Sequence, residues 1–414
     1  MRRAVLSVVF WAVASATALA VFAVTEIEGQ GPGGAFYSIA VPDSWNGELV
    51  IWNHGFSLSD PSPSPDVGPL SDIHLLEGYA VAASSYRLSG WALFKSNQDL
   101  RELVEIFSAE FGPPERILIY GASLGGAVTA AAVEKGNLGN VVGALTFCGA
   151  MAGSRNWDVA VDLRLAYDLV CEDVPGAAIP GGAEGLPEDS GWTSNDVENA
   201  VDTCTGINTP KSERSRQQKA NLRQLLDLAR IPASFLVPDM LYATEGMSDL
   251  VHDRKKLRGK LGTGNEFVVY GDPVVDAQIE RVKPRRGKAR KLARFFTPKG
   301  NVGQTKIISM HTNKDGLVLV ENQSIYADVV PAGNLTTVIV RERQASHCVF
   351  SPGEILAGWE ALRAWVDSGL QPTAGDIQEA CEDSLGIDEI CRIDPAFALP
   401  NPDIRMRPRN WEWN

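Results

Sequence analysis

Residues 116–126 read Arg116-Ile117-Leu118-Ile119-Tyr120-Gly121-Ala122-Ser123-Leu124-Gly125-Gly126. The apolar, β-branched run at Ile117–Ile119 predicts a strand. It stops at Gly121-Ala122-Ser123-Leu124-Gly125, and the small residues from Gly126 to Glu134 predict a helix. So tight a turn needs glycine on either side of the serine, because a neighbouring Cβ would clash. The serine then stands off the sheet, with the N–H groups of a helix start behind it. Ser123 is therefore the candidate nucleophile.

Working outward, short apolar runs alternate with helical patterns, which predicts an α/β chain with a largely parallel sheet. The strand candidates are 36–41, 48–52, 79–84, 116–120, 141–148, 305–310 and 335–341. Leu100, Leu103, Val104, Phe107 and Phe111 fall at helical spacing, and Gly112-Pro113 ends that helix. Ser351-Pro352-Gly353-Glu354 reads as a capping box with proline at the first helical position, opening a helix that Gly369 stops. The rhythm breaks between about 151 and 298. That span holds a Gly/Pro-rich loop at 174–187, one predicted helix at 212–230 and a basic stretch, and it reads as an insertion between two sheet strands. The expected organisation is an export segment at 1–23, a core in two parts at 24–150 and 299–370, a cap at 151–298, and a wrapping tail at 371–414.

A serine hydroxyl needs a base, and the base needs an acid to orient it. Three histidines follow Ser123. His252 falls inside the insertion. His311 is expected in a turn just after the strand 305–310. His347 follows the last strand candidate and precedes the capped helix, which places it in a loop at the carboxyl edge of the sheet, so it is the candidate base. Asp315, in His311-Thr312-Asn313-Lys314-Asp315-Gly316, is the candidate acid, with Glu321 as the fallback. Developing negative charge needs donors: the N–H of Leu124 and, from the loop Asn53-His54-Gly55-Phe56, the N–H of Phe56. His54 reads as a loop-ordering residue. Tyr86 and Trp91 follow another strand end and are candidate pocket residues beside it.

A net charge of −13 disfavours a nucleic-acid partner. Residues 281–299 nevertheless hold nine Lys or Arg and no acid. They read as a solvated helix face or as a contact for an anionic or envelope surface. Arg2-Arg3 followed by an uncharged stretch to Val24 describes a secretory signal and a secreted or periplasmic protein; residues 4–24 are also long enough to remain as a membrane anchor. Six cysteines in an exported chain favour disulfides. Cys171 and Cys204 flank the Gly/Pro-rich excursion and Cys381 and Cys391 close a short loop, which would leave Cys148 to meet Cys348. Neither cysteines nor histidines show zinc spacing, so no metal or cofactor is expected.

With Ser123, Asp315, His347 and the His54-Gly55 loop in this order, the chain resembles the α/β-hydrolase family of serine esterases, lipases and peptidases over roughly 35–150 and 300–370. The resemblance implies a mostly parallel sheet flanked by helices with an inserted cap, and an acyl-enzyme hydrolysed by water. The stretches at Ser85-Tyr86-Arg87, His347-Cys348-x-Phe350 and Trp365-Val366-x-x-Gly369 look like secreted bacterial hydrolases of this family. The pair His347-Cys348 is also similar to tannases and feruloyl esterases, in which cysteines beside the serine and the histidine join; here Ala122 precedes Ser123, so that link is absent. The expected function is hydrolysis of a small-molecule carboxylic ester, the alternatives being a serine exopeptidase or a non-catalytic surface-binding protein.

Overall fold

The structure, a computed structural model, describes residues 23–384 and 390–409. Its strands are β1 (Val24–Gln30), β2 (Phe36–Pro42), β3 (Glu48–Asn53), β4 (Ala80–Ser84), β5 (Arg116–Ala122), β6 (Val141–Phe147), β7 (Lys306–Thr312) and β8 (Leu335–Val340). They form one eight-stranded sheet in the order β1-β2-β4-β3-β5-β6-β7-β8. β2 is antiparallel to both of its neighbours, and every pair from β4 to β8 is parallel. Central strands are buried on both faces, which is why they read as continuous apolar runs in the sequence.

β1 was not expected, because Val24-Thr25-Glu26-Ile27-Glu28 carries charges on an exposed edge strand and has no long apolar run. His311 is not in a turn after its strand; β7 extends through Thr312 and holds the imidazole in the buried sheet.

Helices cover both faces. On one, Leu100, Leu103 and Phe107 of the helix Ser96–Phe111 are buried beside the helix Leu124–Lys135, whose small residues let it lie close to the sheet. On the other, Trp359, Leu362 and Trp365 of the helix Pro352–Ser368 pack on β6 and β7. That helix opens with the expected capping box between Ser351 and Glu354 and ends at Gly369.

Between β6 and β7 the chain is mostly helical. The helix expected at 212–230 is Arg216–Ala229; others, such as Arg155–Cys171 and Leu236–Leu241, were not expected. Arg155–Cys171 is buried around most of its circumference, so it carries no one-sided apolar stripe to read. Three disulfides join Cys148–Cys348, Cys171–Cys204 and Cys381–Cys391. The last segment adds a helix, Ala374–Ser384, and then ties back onto the rest of the chain: Arg405 pairs with Glu321, and Arg409 donates to Asp162 at 2.9 Å. Residues 1–22 of the expected signal fall outside the described residues, as do Trp411 and Trp413. Val24, assigned above to an anchor, instead opens β1. Among the described residues no helix is long and apolar enough to cross a membrane.

Candidate active site

β5 delivers the chain to a reversal at Ser123, whose φ of 56° and ψ of −123° lie where L residues are rarely found. The flanking glycines are obligatory. A Cβ at Gly121 would lie 2.4 Å from the Gly125 carbonyl oxygen, and one at Gly125 would lie 1.9 Å from that of Asn53. Neighbouring backbone fixes the turn: the Ser123 N–H donates to Phe147 O at 2.8 Å, and Ser123 O accepts from Gly126 and Ala150. Leu124 is the first residue of the following helix, so its N–H has no partner inside that helix.

His347 lies in the irregular stretch 341–350 between β8 and the capped helix. Its Nε2 is 3.0 Å from Ser123 Oγ, and its Nδ1 is 2.7 Å from Asp315 Oδ2. Asp315 is fully buried, and its Oδ1 accepts from the N–H groups of Leu317 and Val318 at 3.0 and 2.9 Å. The imidazole is bonded at both nitrogens while its side chain stays 21 % exposed, so its edge is open to a reacting group. Three residues from distant parts of the chain are thereby brought together. Glu321 is not at this site; it pairs with Arg405.

The loop after β3 closes over the serine. A Cβ on Gly55 would lie 3.5 Å from Ser123 Cβ, so backbone, not side chain, faces the hydroxyl. Asn53 anchors the loop through a 2.9 Å bond to Thr129 Oγ1. His54 stacks on Tyr86 with ring centroids 4.3 Å apart, and the Tyr86 hydroxyl donates to His54 O at 3.3 Å. Both line a cavity of about 380 Å³ together with Gly55, Asp60, Asp66 and Leu88. Trp91 does not line it; the indole is buried edge-on against Trp157. Phe56 points its ring at Tyr242 of the insertion, 5.5 Å away.

An order of this kind, with β1 and β2 turned against a parallel run and a strained serine after β5, decides the architecture. The chain has the α/β-hydrolase fold.

In this α/β-hydrolase frame His311 lies beside Asp315, its Nε2 3.7 Å from Asp315 Oδ2. Its Nε2 lies 2.8 Å from Val318 O and its Nδ1 3.1 Å from Gln323 Nε2. Burial pushes its pKa down, against the opposing pull of the Asp315 charge. His252 ends a helix of the insertion. Cys148, His347 and Cys348 lie close enough to share a metal ion, all donor atoms within 4.8 Å, but the disulfide occupies both sulfurs. In the basic stretch, Arg285, Arg286, Arg290 and Arg294 are exposed while Ala289 and Leu292 face inward. Sequence reasoning did not reach Asp239 and Tyr242, which the insertion brings near the acid loop. No sequence signal marks them, because the helix Leu236–Leu241 that carries Asp239 and the turn that Tyr242 opens were not expected.

No family model matches the chain. A segment of 115 residues is 31% identical to an o-phthalyl amidase of Xanthobacter agilis, covering 27% of this chain and 24% of the amidase. The match thus spans about a quarter of that relative's length. Among solved structures, the chain is similar to lipase A of Candida antarctica in its closed state (TM-score 0.43, 10% identity, 84% of this chain and 78% of that chain). It is likewise similar to feruloyl esterase B of Aspergillus oryzae (TM-score 0.43, 11% identity, 85% and 82%).

Proposed function

We propose that this protein is an exported serine hydrolase that cleaves carboxylic esters through an acyl-enzyme on Ser123. The observation that carries the reading is the continuous line of bonds from Ser123 Oγ to His347 Nε2 and from His347 Nδ1 to Asp315. As Oγ attacks the carbonyl carbon, Nε2 takes its proton and then delivers it to the leaving oxygen. Asp315, held by two backbone N–H groups, fixes the tautomer and stabilises the imidazolium. The N–H groups of Leu124 and Phe56 receive the oxyanion, where one such donor contributes roughly 10²–10³ in rate. Water activated by the same imidazole then releases the acid.

In this reading residues 151–298 are a cap that sets specificity, residues 1–23 are the export signal, and the exposed arginines of 281–299 contact anionic surfaces. The three disulfides support export, since such bonds persist in oxidising compartments. The amidase match favours a second reading, amide or peptide cleavage by the same residues. The test is turnover of p-nitrophenyl butyrate by wild type and Ser123→Ala, beside peptidyl-nitroanilides. Loss of at least 10³-fold in the variant is expected. Equal rates in the two proteins would sink the proposal, and faster anilide than ester turnover would select the second reading.

A further inference from the structure

Residues 254–299, in the insertion, hold fourteen Lys or Arg and four acids, while the whole chain carries a net charge of −13. Hydrogen bonds draw the two basic runs of this span together. Lys291 donates to the backbone carbonyls of Lys255 and Lys256, and the Arg285 N–H donates to Leu261 O at 3.0 Å. Burial, with the charges of Lys288, Arg258 and Lys95, pushes the Lys291 pKa down against the pull of Asp253, so cations from three separate segments crowd together. Three of the four acids are engaged within the span: Glu266 pairs with Lys283, Asp276 pairs with Arg281, and Asp272 caps the helix Pro273–Gln278. Glu280, the fourth, is exposed. Cations remain in excess.

The same span exposes apolar side chains. Ten large apolar residues are exposed among the described residues, and three of them, Phe267 at 50%, Val269 at 74% and Val274 at 63%, fall within eight positions. Phe267 is the only aromatic of the ten. Val268 and Tyr270 are buried between and beyond the first two, the alternation of an extended segment with one face in solvent. The turn that follows stands clear, since a Cβ on Gly271 would meet nothing within 4 Å among the described residues. Arg281 holds the segment from behind, donating to Asn265 O at 3.1 Å and to Val268 O at 2.6 Å. The basic run therefore starts directly beside the apolar tips.

Surplus cations favour an anionic partner, and apolar side chains in water favour a place to be buried. A soluble polyanion would answer the cations and leave Phe267 in water. An anionic lipid surface answers both, because apolar side chains enter the boundary between head groups and acyl chains while cations meet the phosphates. We propose that residues 254–299 dock this protein on an anionic lipid surface with Phe267, Val269 and Val274 inserted, which rests on the anionic-surface reading above and not on the serine chemistry.

The test sediments the full chain with vesicles of phosphatidylcholine alone or mixed with phosphatidylglycerol. Binding is expected to be about tenfold or more tighter on the mixed vesicles and to weaken as salt rises, because each cation near such a surface contributes roughly a factor of five. Phe267→Ser combined with Val269→Ser should weaken it about tenfold through lost apolar burial. Lys283→Gln combined with Arg285→Gln should weaken it by about as much through lost charge. Val274→Ser, on a separate helix, serves if the double serine variant does not fold. Equal binding to both kinds of vesicle overturns the proposal and assigns the contact to the apolar stretch at 4–24. Undiminished binding by the serine variants overturns it as well, leaving charge alone as the attraction. If mixed vesicles are not bound, the proposal fails, and heparin–agarose separates the two causes: retention there keeps the anionic-surface reading with a soluble polyanion as partner, and no retention rejects that reading too. A dimer in sedimentation velocity that the serine variants dissociate overturns the proposal in favour of a second copy of this chain.

Discussion

Arg392 clasps Glu354, with Nη2 2.8 Å from Oε2 and Nε 3.0 Å from Oε1. The same guanidinium reaches Glu342 Oε1 at 2.7 Å and donates to Val349 O at 3.0 Å. Glu342 and Val349 bracket His347, so a residue of the C-terminal segment braces both ends of the loop that presents the imidazole. Glu354 is fully buried and also closes the capping box of the next helix.

Removing that brace should act on chemistry more than on binding. Arg392→Ala is expected to lower kcat for p-nitrophenyl butyrate by roughly tenfold or more with little change in KM, and to cost about 3 kcal/mol of stability by leaving Glu354 unpaired. Steady-state kinetics beside urea unfolding checks both; an unchanged kcat would show that the loop holds its shape unaided.

The Cys148–Cys348 link acts on the same loop from the inside. Cys348 adjoins His347, and Cys148 follows β6, whose last residue accepts the Ser123 N–H. The chain enclosed is 200 residues long, against 10 for Cys381–Cys391. Chain entropy alone then assigns about 5 kcal/mol to the first and about 3 to the second. Replacing Cys148 and Cys348 by serine should lower both Tm and kcat, whereas replacing Cys171 and Cys204 should lower Tm alone. Equal kcat in the two double variants would remove the positioning role.

Acid sensitivity should trace in part to His74. It is buried among Tyr79, Tyr120 and Trp359, and among the described residues neither ring nitrogen has a hydrogen-bond partner. Burial, with a smaller push from the Arg363 charge, lowers its pKa to about 3. The folded form therefore keeps the ring neutral while the unfolded chain protonates near pH 6.5. Stability is fully present above about 6.5 and declines as pH falls towards 3, by up to about 5 kcal/mol. His74→Phe should flatten the acid limb of a Tm-against-pH curve, and a limb of unchanged slope would assign the loss to other groups.

The C-terminal segment should be needed for the insertion to hold together. Arg409 is buried, 2.9 Å from Asp162 and close to Asp158. Arg409→Met is expected to destabilise by about 3–5 kcal/mol, because two buried carboxylates lose their main counter-charge. A Tm within one degree of wild type would contradict this.

Much of this was legible in the chain and some was not, for definite reasons. The strand–serine–helix turn is a contract among adjacent residues: Gly121 and Gly125 are required by backbone a few residues away. The capping box at Ser351 is equally local. β1 escaped because an exposed edge strand with Glu26 and Glu28 lacks the apolar run by which strands are recognised. His311 was misplaced by a strand end only two residues too early, a scale at which propensity does not discriminate.

From sequence alone came the kind of turn, the chemical type and order of Ser123, Asp315 and His347, and the α/β alternation, since each is written in neighbouring residues or in their spacing. The tertiary structure alone decided which groups meet: His347 reaches a serine 224 positions away, and Arg392 braces its loop. Contacts between remote segments depend on loop closure and packing, and no local pattern encodes the direction in which a side chain ends up facing.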